Sequence, residues 1–422
     1  MKINAQYNNP SVRYGNIKRI LYISTPSLRK DFLSRKEIFM GIYLDNSATS
    51  YPKPECVYDA VNAYMRDNGA SPGRGTYANA MASDKLVYEA RKSVARLIGA
   101  EKAGEIVFTM NSTEAINTVL KGFLQDGDGV LTSDAEHNAV WRPLKTLEKY
   151  RGVKIRCFRV SKDGKADLDE IGEKLTPEIK LAAFVHGSNV LGNILPTADI
   201  SKLARAKGVP VLVDASQTAG AIPIDVVKEG VDFLAFTGHK GLLGPTGTGG
   251  FYIKSGLSLS TLKEGGTGSM AKSPFPPELP PDRYEAGTMN IFGIAGLKAA
   301  VGFIHETGVP DIQAHERALI KRMLNGFKTI PDIEVYGSQN PEDRLGLVCF
   351  NIGGLDPYKA AAKLDEDYGI MLRAGLHCAP RAHLISGTEG TGSIRASVGY
   401  FNTVAHIDHL LCAIADIRKK NT

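Results

Sequence analysis

Between residues 58 and 304, short apolar runs alternate with stretches of helical period, and that alternation restricts the fold more than any other feature. Seven runs read as strands: Glu105–Thr109, Gly129–Thr132, Lys154–Val160, Leu181–His186, Val211–Asp214, Val231–Phe236 and Gly250–Lys254. Thr113–Phe123 and Ile200–Ala206 read as helices between them. Strand–helix alternation of this kind makes a mostly parallel sheet covered by helices. From about residue 305 the pattern changes. A long helix at Ile312–Phe327 precedes strands at Ile333–Tyr336 and Leu347–Ile352, with further helices near Pro357–Asp367 and Thr403–Arg418. The expected architecture is α/β: a large domain, 58–304, on a seven-stranded, mostly parallel sheet, and a smaller α+β domain of 41–57 with 305–422. A chain of 422 residues exceeds what one hydrophobic core usually holds, in keeping with two domains. The proline-rich segment from Ser273 to Pro281 is a connection, not a domain linker.

Charge excludes one class of partner. The chain carries a net +6, but residues 1–40 hold eight Lys and Arg against only Asp31 and Glu37, which accounts for the whole excess. The remaining 382 residues are balanced and give no electrostatic case for nucleic acid. No apolar run approaches the roughly 20 residues of a membrane span. Residues 1–40 lack the compact apolar stretch of a secretory signal, and Met40-Gly41 precedes the first clear strand, so they are expected to be a dispensable basic leader. Five cysteines without metal-ligand spacing point to a reducing compartment, the cytoplasm, and not to a disulfide framework.

Polar residues cluster just past the strand ends, where open α/β sheets bind ligands. Val213-Asp214 closes one apolar strand, and the next runs into Thr237-Gly238-His239-Lys240-Gly241. Singly, an Asp after a strand is a cap and a Lys is a surface charge. Together they put a carboxylate and an amine at one sheet edge, the pair that pyridoxal 5′-phosphate (PLP) requires: the lysine as Schiff base, the aspartate holding the pyridine nitrogen protonated. Flanking glycines let backbone approach a ligand, and a desolvated lysine beside a cationic ring has a lowered pKa. Met110-Asn111-Ser112-Thr113-Glu114 opens a helix and suits a phosphate, although taken alone an ordinary N-cap by Ser112 or Thr113 is the preferred reading. Gly244–Gly250 lacks the lysine–serine pair of a phosphate loop and is expected to be a glycine turn.

The motifs Asp45-Asn46-Ser47-Ala48-Thr49, Asn111–Asn117, Glu136-His137-Asn138, Ser188–Gly192, Asp214–Gln217, Gly238-His239-Lys240, Glu285–Thr288 and Arg373–Ala379 occur in that order. This series, spanning residues 42–418, closely resembles the class V, fold-type I PLP enzymes, and within them the cysteine desulfurase/selenocysteine lyase branch. The resemblance implies that Lys240 holds PLP, Asp214 pairs with its pyridine nitrogen, Gln217 with its phenolic oxygen, and His137 stacks on the ring. It implies that Ser112, Thr113, Thr237 and His239 bind the phosphate, and that Thr288 reaches the phosphate in a neighbouring subunit of a homodimer. It also implies that Arg395 holds the substrate carboxylate, with Asn189 and Arg373 lining the same pocket; a planar guanidinium suits such a bidentate pair.

PLP alone allows transamination, racemisation or elimination. Desulfuration of L-cysteine needs a thiolate in addition. Cys157 and Cys349 fall in strand-like runs and Cys412 in an apolar helical one, so all three are expected in the core, as free cysteines commonly are. Cys56 stands near a helix start and is read as structural. Cys378 differs: it lies among Gly375, His377 and Pro380 in neither strand nor helix, where a neighbouring histidine or cationic site favours the thiolate. Its position matches the catalytic cysteine of the short-loop type, which passes a persulfide to an acceptor protein or thiol. The expected activity is L-cysteine to L-alanine with a persulfide on Cys378. Selenocysteine lyase, aminotransferase and another carbon–heteroatom lyase remain alternatives, as does a non-catalytic binding module. The chain departs from the resemblance in two places: Gly73 falls where a histidine is common, and in the loop Leu376 with Pro380-Arg381-Ala382-His383 replaces the commoner residues.

Overall fold

The computed structural model describes residues 41–73 and 75–420, so the reading of 1–40 as a leader lies outside the described residues. The strands are β1 (Ile42–Tyr43), β2 (Ile106–Thr109), β3 (Gly129–Ser133), β4 (Lys154–Phe158), β5 (Ile179–Val185), β6 (Val211–Asp214), β7 (Phe233–Thr237), β8 (Gly249–Ile253), β9 (Ile333–Tyr336), β10 (Leu347–Ile352), β11 (Ile370–Met371), β12 (Arg373–Gly375) and β13 (Ser393–Ser397). The α-helices are α1 (Glu55–Ala63), α2 (Ala78–Leu97), α3 (Ser112–Phe123), α4 (Asn138–Arg151), α5 (Leu168–Lys174), α6 (Thr197–Ala206), α7 (Ile291–Thr307), α8 (Val309–Phe327), α9 (Pro357–Tyr368), α10 (Pro380–Ser386) and α11 (Val404–Lys420).

Seven strands form one sheet in the order β2-β8-β7-β6-β5-β3-β4. All run parallel except β8, which pairs antiparallel with both β2 and β7. All five residues of β7 and all four of β6 are buried, apolar except for Thr237 and Asp214 at their carboxyl ends, as strands covered on both faces must be. Every side chain of these runs is core, so they appear in the sequence as continuous apolar stretches without alternation. A second, antiparallel sheet in the order β12-β13-β10-β9 stands on Leu44, Leu319, Phe327, Phe350 and Leu410, and β1 pairs with β11 in parallel.

One buried ion pair ties the edge strand β2 to the chain beyond β8. Arg91 of α2 grips the Glu285 carboxylate with both terminal nitrogens, and also donates to Ile106 O at 2.8 Å. The two side chains are 7% and 6% exposed. Removing one partner of such a pair leaves an uncompensated charge, so Glu285→Ala is expected to lower stability by about 3–5 kcal/mol. Denaturant unfolding of wild type and variant measures it, and a loss under about 1 kcal/mol, the scale of an exposed pair, would refute the assignment.

Candidate active site

The site forms at the carboxyl ends of β6 and β7. Asp214 is the last residue of β6 and is buried; its Oδ1 accepts from Ser216 N at 3.0 Å and from the Ser216 hydroxyl. Beyond β7 the chain turns through Gly238, where a Cβ would collide with Thr248 Oγ1, so only glycine fits. That turn brings Lys240 back over the sheet edge. Lys240, Asp214, His137 and Gln217 share a cavity of about 300 Å³. Ser112, Thr113, Thr237, His239 and Asn189 border the same space. Thr288 does not: it is exposed and lines a different cavity, with Thr109, Glu285 and Asn290.

Burial sets the electrostatics here. It pushes the Lys240 ammonium down to about 8; Arg395 and Arg373 push the same way, while Asp214 and Cys378 oppose them. His137 caps α4 by accepting Ala139 N on Nδ1 at 3.0 Å, which leaves the ring proton on Nε2. Burial lowers its pKa to about 4 against the pull of Asp214, so the ring is neutral near pH 7. His239 is likewise held near 4 by burial, and its Nδ1 is buried without a hydrogen-bond partner. Gln217 donates from Nε2 to Ser47 O at 3.0 Å. The α3 N-terminus is capped by Asn111, whose Oδ1 accepts Glu114 N at 3.0 Å, and not by Ser112 or Thr113. The motif is thus an N-cap, as its ordinary reading has it, but made by Asn111, which leaves the Ser112 and Thr113 hydroxyls beside the cavity without a capping role.

Arg395 on β13 is 2% exposed. Its Nη2 donates to Asp45 Oδ1 at 2.9 Å and its Nη1 to Asn189 O at 3.4 Å, while its Nε is buried and unpartnered. Arg373 on β12 takes the other carboxylate oxygen of Asp45 at 2.9 Å. Asp45 therefore organises both guanidiniums. Sequence reasoning noted it only as part of a motif, because its partners lie more than 300 residues away.

Cys378 is exposed in the turn between β12 and α10. His377 and Cys378 are both left-handed, at φ +48° and +57°, a conformation that costs a non-glycine residue roughly 1–2 kcal/mol. The surroundings hold it. Asn189 Nδ2 donates to His377 O at 2.7 Å, and Asn138 N, next to His137, donates to Cys378 O at 2.9 Å. Ala379 and Ala382 pack into the large core. The expectation that a neighbouring histidine favours the Cys378 thiolate is corrected: His377 turns its Nε2 to Ser393 O at 3.0 Å, and burial lowers its pKa to about 3, so it carries no charge there. The reading of the other cysteines is corrected in part. Cys349 is fully buried, but Cys412 lies on the exposed face of α11 and Cys157 is only half-buried on the edge strand β4.

Comparison with known proteins agrees with this arrangement. The aminotransferase class-V family model matches residues 42–410. The chain belongs to the aminotransferase class-V family. The class-V chain is 34% identical to a probable cysteine desulfurase of Methanothermobacter thermautotrophicus over 397 residues, covering 93% of this chain and 97% of the relative. It is 34% identical to a cysteine desulfurase of Salmonella agona, covering 89% and 93%. Among solved structures, the apo cysteine desulfurase from Thermococcus onnurineus NA1 superposes with a TM-score of 0.85 at 33% identity, covering 95% of this chain and all of that one. The cysteine desulfurase CsdA from Escherichia coli, in its S-sulfonic acid form, gives 0.82 at 31% identity over 90% and 95%.

Class-V enzymes are PLP-dependent, and the residues present fit that cofactor. The cavity offers a lysine whose amine is free well below its usual range, a buried carboxylate, a neutral histidine ring and an unpartnered buried His239 Nδ1. Each is a group a bound phosphopyridine would satisfy.

Proposed function

We propose that this class-V enzyme is an L-cysteine desulfurase, converting L-cysteine to L-alanine and leaving the sulfur as a persulfide on Cys378. The observation that carries it is Cys378: an exposed thiol on a strained loop whose backbone is tied to Asn189, which borders the Lys240 site, and to Asn138, the residue after the cavity-lining His137. Lys240, Asp214, Gln217 and His137 would hold the cofactor ring, with Ser112, Thr113, Thr237 and His239 on its phosphate. When bound, PLP supplies an electron sink for negative charge at the substrate Cα.

The chain's own residues do the rest. Arg395 grips the substrate carboxylate, with Asn189 and Arg373 beside it. The neutral amine of Lys240 moves the proton at Cα, a role suited to a lysine tuned near working pH. The Cys378 thiolate attacks the substrate sulfur: an S–S bond forms, the Cβ–S bond breaks, and its electron pair stays with Cβ, which takes up a proton to give alanine. The enzyme thiol becomes a persulfide with no external oxidant. A sulfur acceptor, protein or thiol, then consumes it. Two domains, 58–304 and 41–57 with 305–422, fit the separate hydrophobic cluster behind the antiparallel sheet. Exposed Thr288 fits a homodimer that shares its phosphate sites, and the free cysteines fit a cytoplasmic enzyme.

Product analysis tests the proposal: L-cysteine should give alanine and persulfide in equal amounts in a single turnover. Faster release from L-selenocysteine would favour a lyase, and amine transfer to a 2-oxo acid without sulfur release would overturn the desulfurase. The lowered Lys240 pKa adds a pH prediction. A depressed lysine pKa places the reactive free amine above about 8 instead of above 10.5, so PLP uptake by apoprotein should rise with pH through about 8 and level off above it. A rate still climbing tenfold per pH unit at pH 10 would show an ordinary lysine.

A further inference from the structure

Arg381 follows Cys378 by three residues, at the start of α10, and it makes a contact that the proposed chemistry does not use. Its guanidinium carbon sits 3.9 Å from the centroid of the Trp141 ring, well within cation–π range. Both residues are half-buried, and Arg381 Nη2 also lies 3.7 Å from Cys157 Sγ on β4. Trp141 stands in the first turn of α4, where its backbone N–H donates to His137 O at 3.0 Å. The neighbouring Asn138 N–H holds Cys378 O at 2.9 Å. One helical turn thus carries the ring histidine, the backbone clamp on Cys378 and the platform for Arg381.

The left-handed backbone at His377 and Cys378 persists only where the surroundings over-determine it. We propose that Arg381, stacked on Trp141, is a positioning residue: it pins the start of α10 and so fixes where the Cys378 thiol stands when it takes sulfur from the substrate. The proposal rests on Cys378 being the sulfur nucleophile. Lys145 approaches the same ring at only 5.8 Å and is paired with Glu148, so it does not substitute for Arg381.

Trp141 is the only tryptophan in the chain, which gives a direct readout of the contact in the holoenzyme. In Arg381→Met, Trp141 emission should shift to the red and become more quenchable by iodide. Alkylation of Cys378 by iodoacetamide, located by peptide mass spectrometry, should change rate. Turnover of L-cysteine should fall roughly 10- to 100-fold in kcat, the scale of a misplaced reacting group, with KM and cofactor absorbance little changed. Arg381→Lys, which keeps a cation over the ring, should recover most of the loss, and Lys145→Ala should leave all readouts at wild type. Should Arg381→Met fold poorly, Trp141→Phe reads the same Cys378 alkylation with the ring retained and should give a smaller change. Unchanged Trp141 emission and Cys378 alkylation in Arg381→Met would overturn the proposal. So would a loss of kcat matched by weakened cofactor binding, which marks a merely structural role. If wild type makes no alanine from L-cysteine, the desulfurase assignment fails, while emission and alkylation still decide whether Arg381 holds the loop.

Discussion

Cys378→Ala is expected to lower alanine formation from L-cysteine by about 10³-fold or more while leaving the bound-cofactor absorbance in place, because the change removes the sulfur nucleophile and nothing else. The fold gives this prediction its sharpness. Cys378 is exposed and makes no side-chain hydrogen bond among the described residues, so no packing is lost with the thiol. Its φ of +57° is equally tolerable to alanine, since both side chains carry one Cβ against the same backbone oxygen. The tether of the loop runs through the Cys378 carbonyl and the His377 carbonyl, which the substitution keeps. Substrate binding should persist, and L-cysteine should still perturb the cofactor spectrum of the variant. Alanine produced at wild-type rate by Cys378→Ala would sink the thiolate mechanism and favour direct elimination. Persulfide found on exposed Cys56 or Cys412 in the wild type would move the nucleophile elsewhere.

The sheet was legible because its strands are short apolar runs ended by charged or turn residues. Val211–Asp214, Ile333–Tyr336 and Leu347–Ile352 coincide with β6, β9 and β10 residue for residue. The direction of β8 was not legible, since an apolar run such as Gly-Gly-Phe-Tyr-Ile has no polarity of its own and only its antiparallel partners β2 and β7 set it. Helix α4 carries Pro143 within its second turn and opens on a histidine cap, so neither its start nor its continuity follows from propensity. The cysteines show the limit of composition. Cys412 sits in an apolar helical run yet points outward, because exposure depends on which face of α11 meets the core. Lys240 and Asp214 were legible as a pair because each closes or follows a strand. Asp45 was not, because what it does is set by Arg395 and Arg373, brought in by strands near the other end of the chain.

Lys240→Ala should abolish turnover still more completely, by about 10⁴-fold or more, since general acid–base catalysis alone contributes 10²–10⁴-fold and the covalent hold on the cofactor is lost as well. The structure contains a rival that makes the test specific. Burial lowers the Lys53 pKa to about 8, the same value as for Lys240. The two amines differ in their partners. Lys53 Nζ donates to Ser50 O at 2.8 Å, to Ser50 Oγ at 2.7 Å and to His239 O at 3.3 Å, which occupies all three of its hydrogens in the charged form. Among the described residues no hydrogen bond holds the Lys240 amine, and it lines the cavity that Asp214 and His137 share. A free amine, not merely a depressed pKa, is what a carbonyl must meet. Borohydride reduction of the holoenzyme should therefore label Lys240 alone, with Lys53→Ala keeping both label and colour. Label recovered on the Lys53 peptide, or turnover surviving in Lys240→Ala, would show that the pyridoxal carbonyl is held elsewhere.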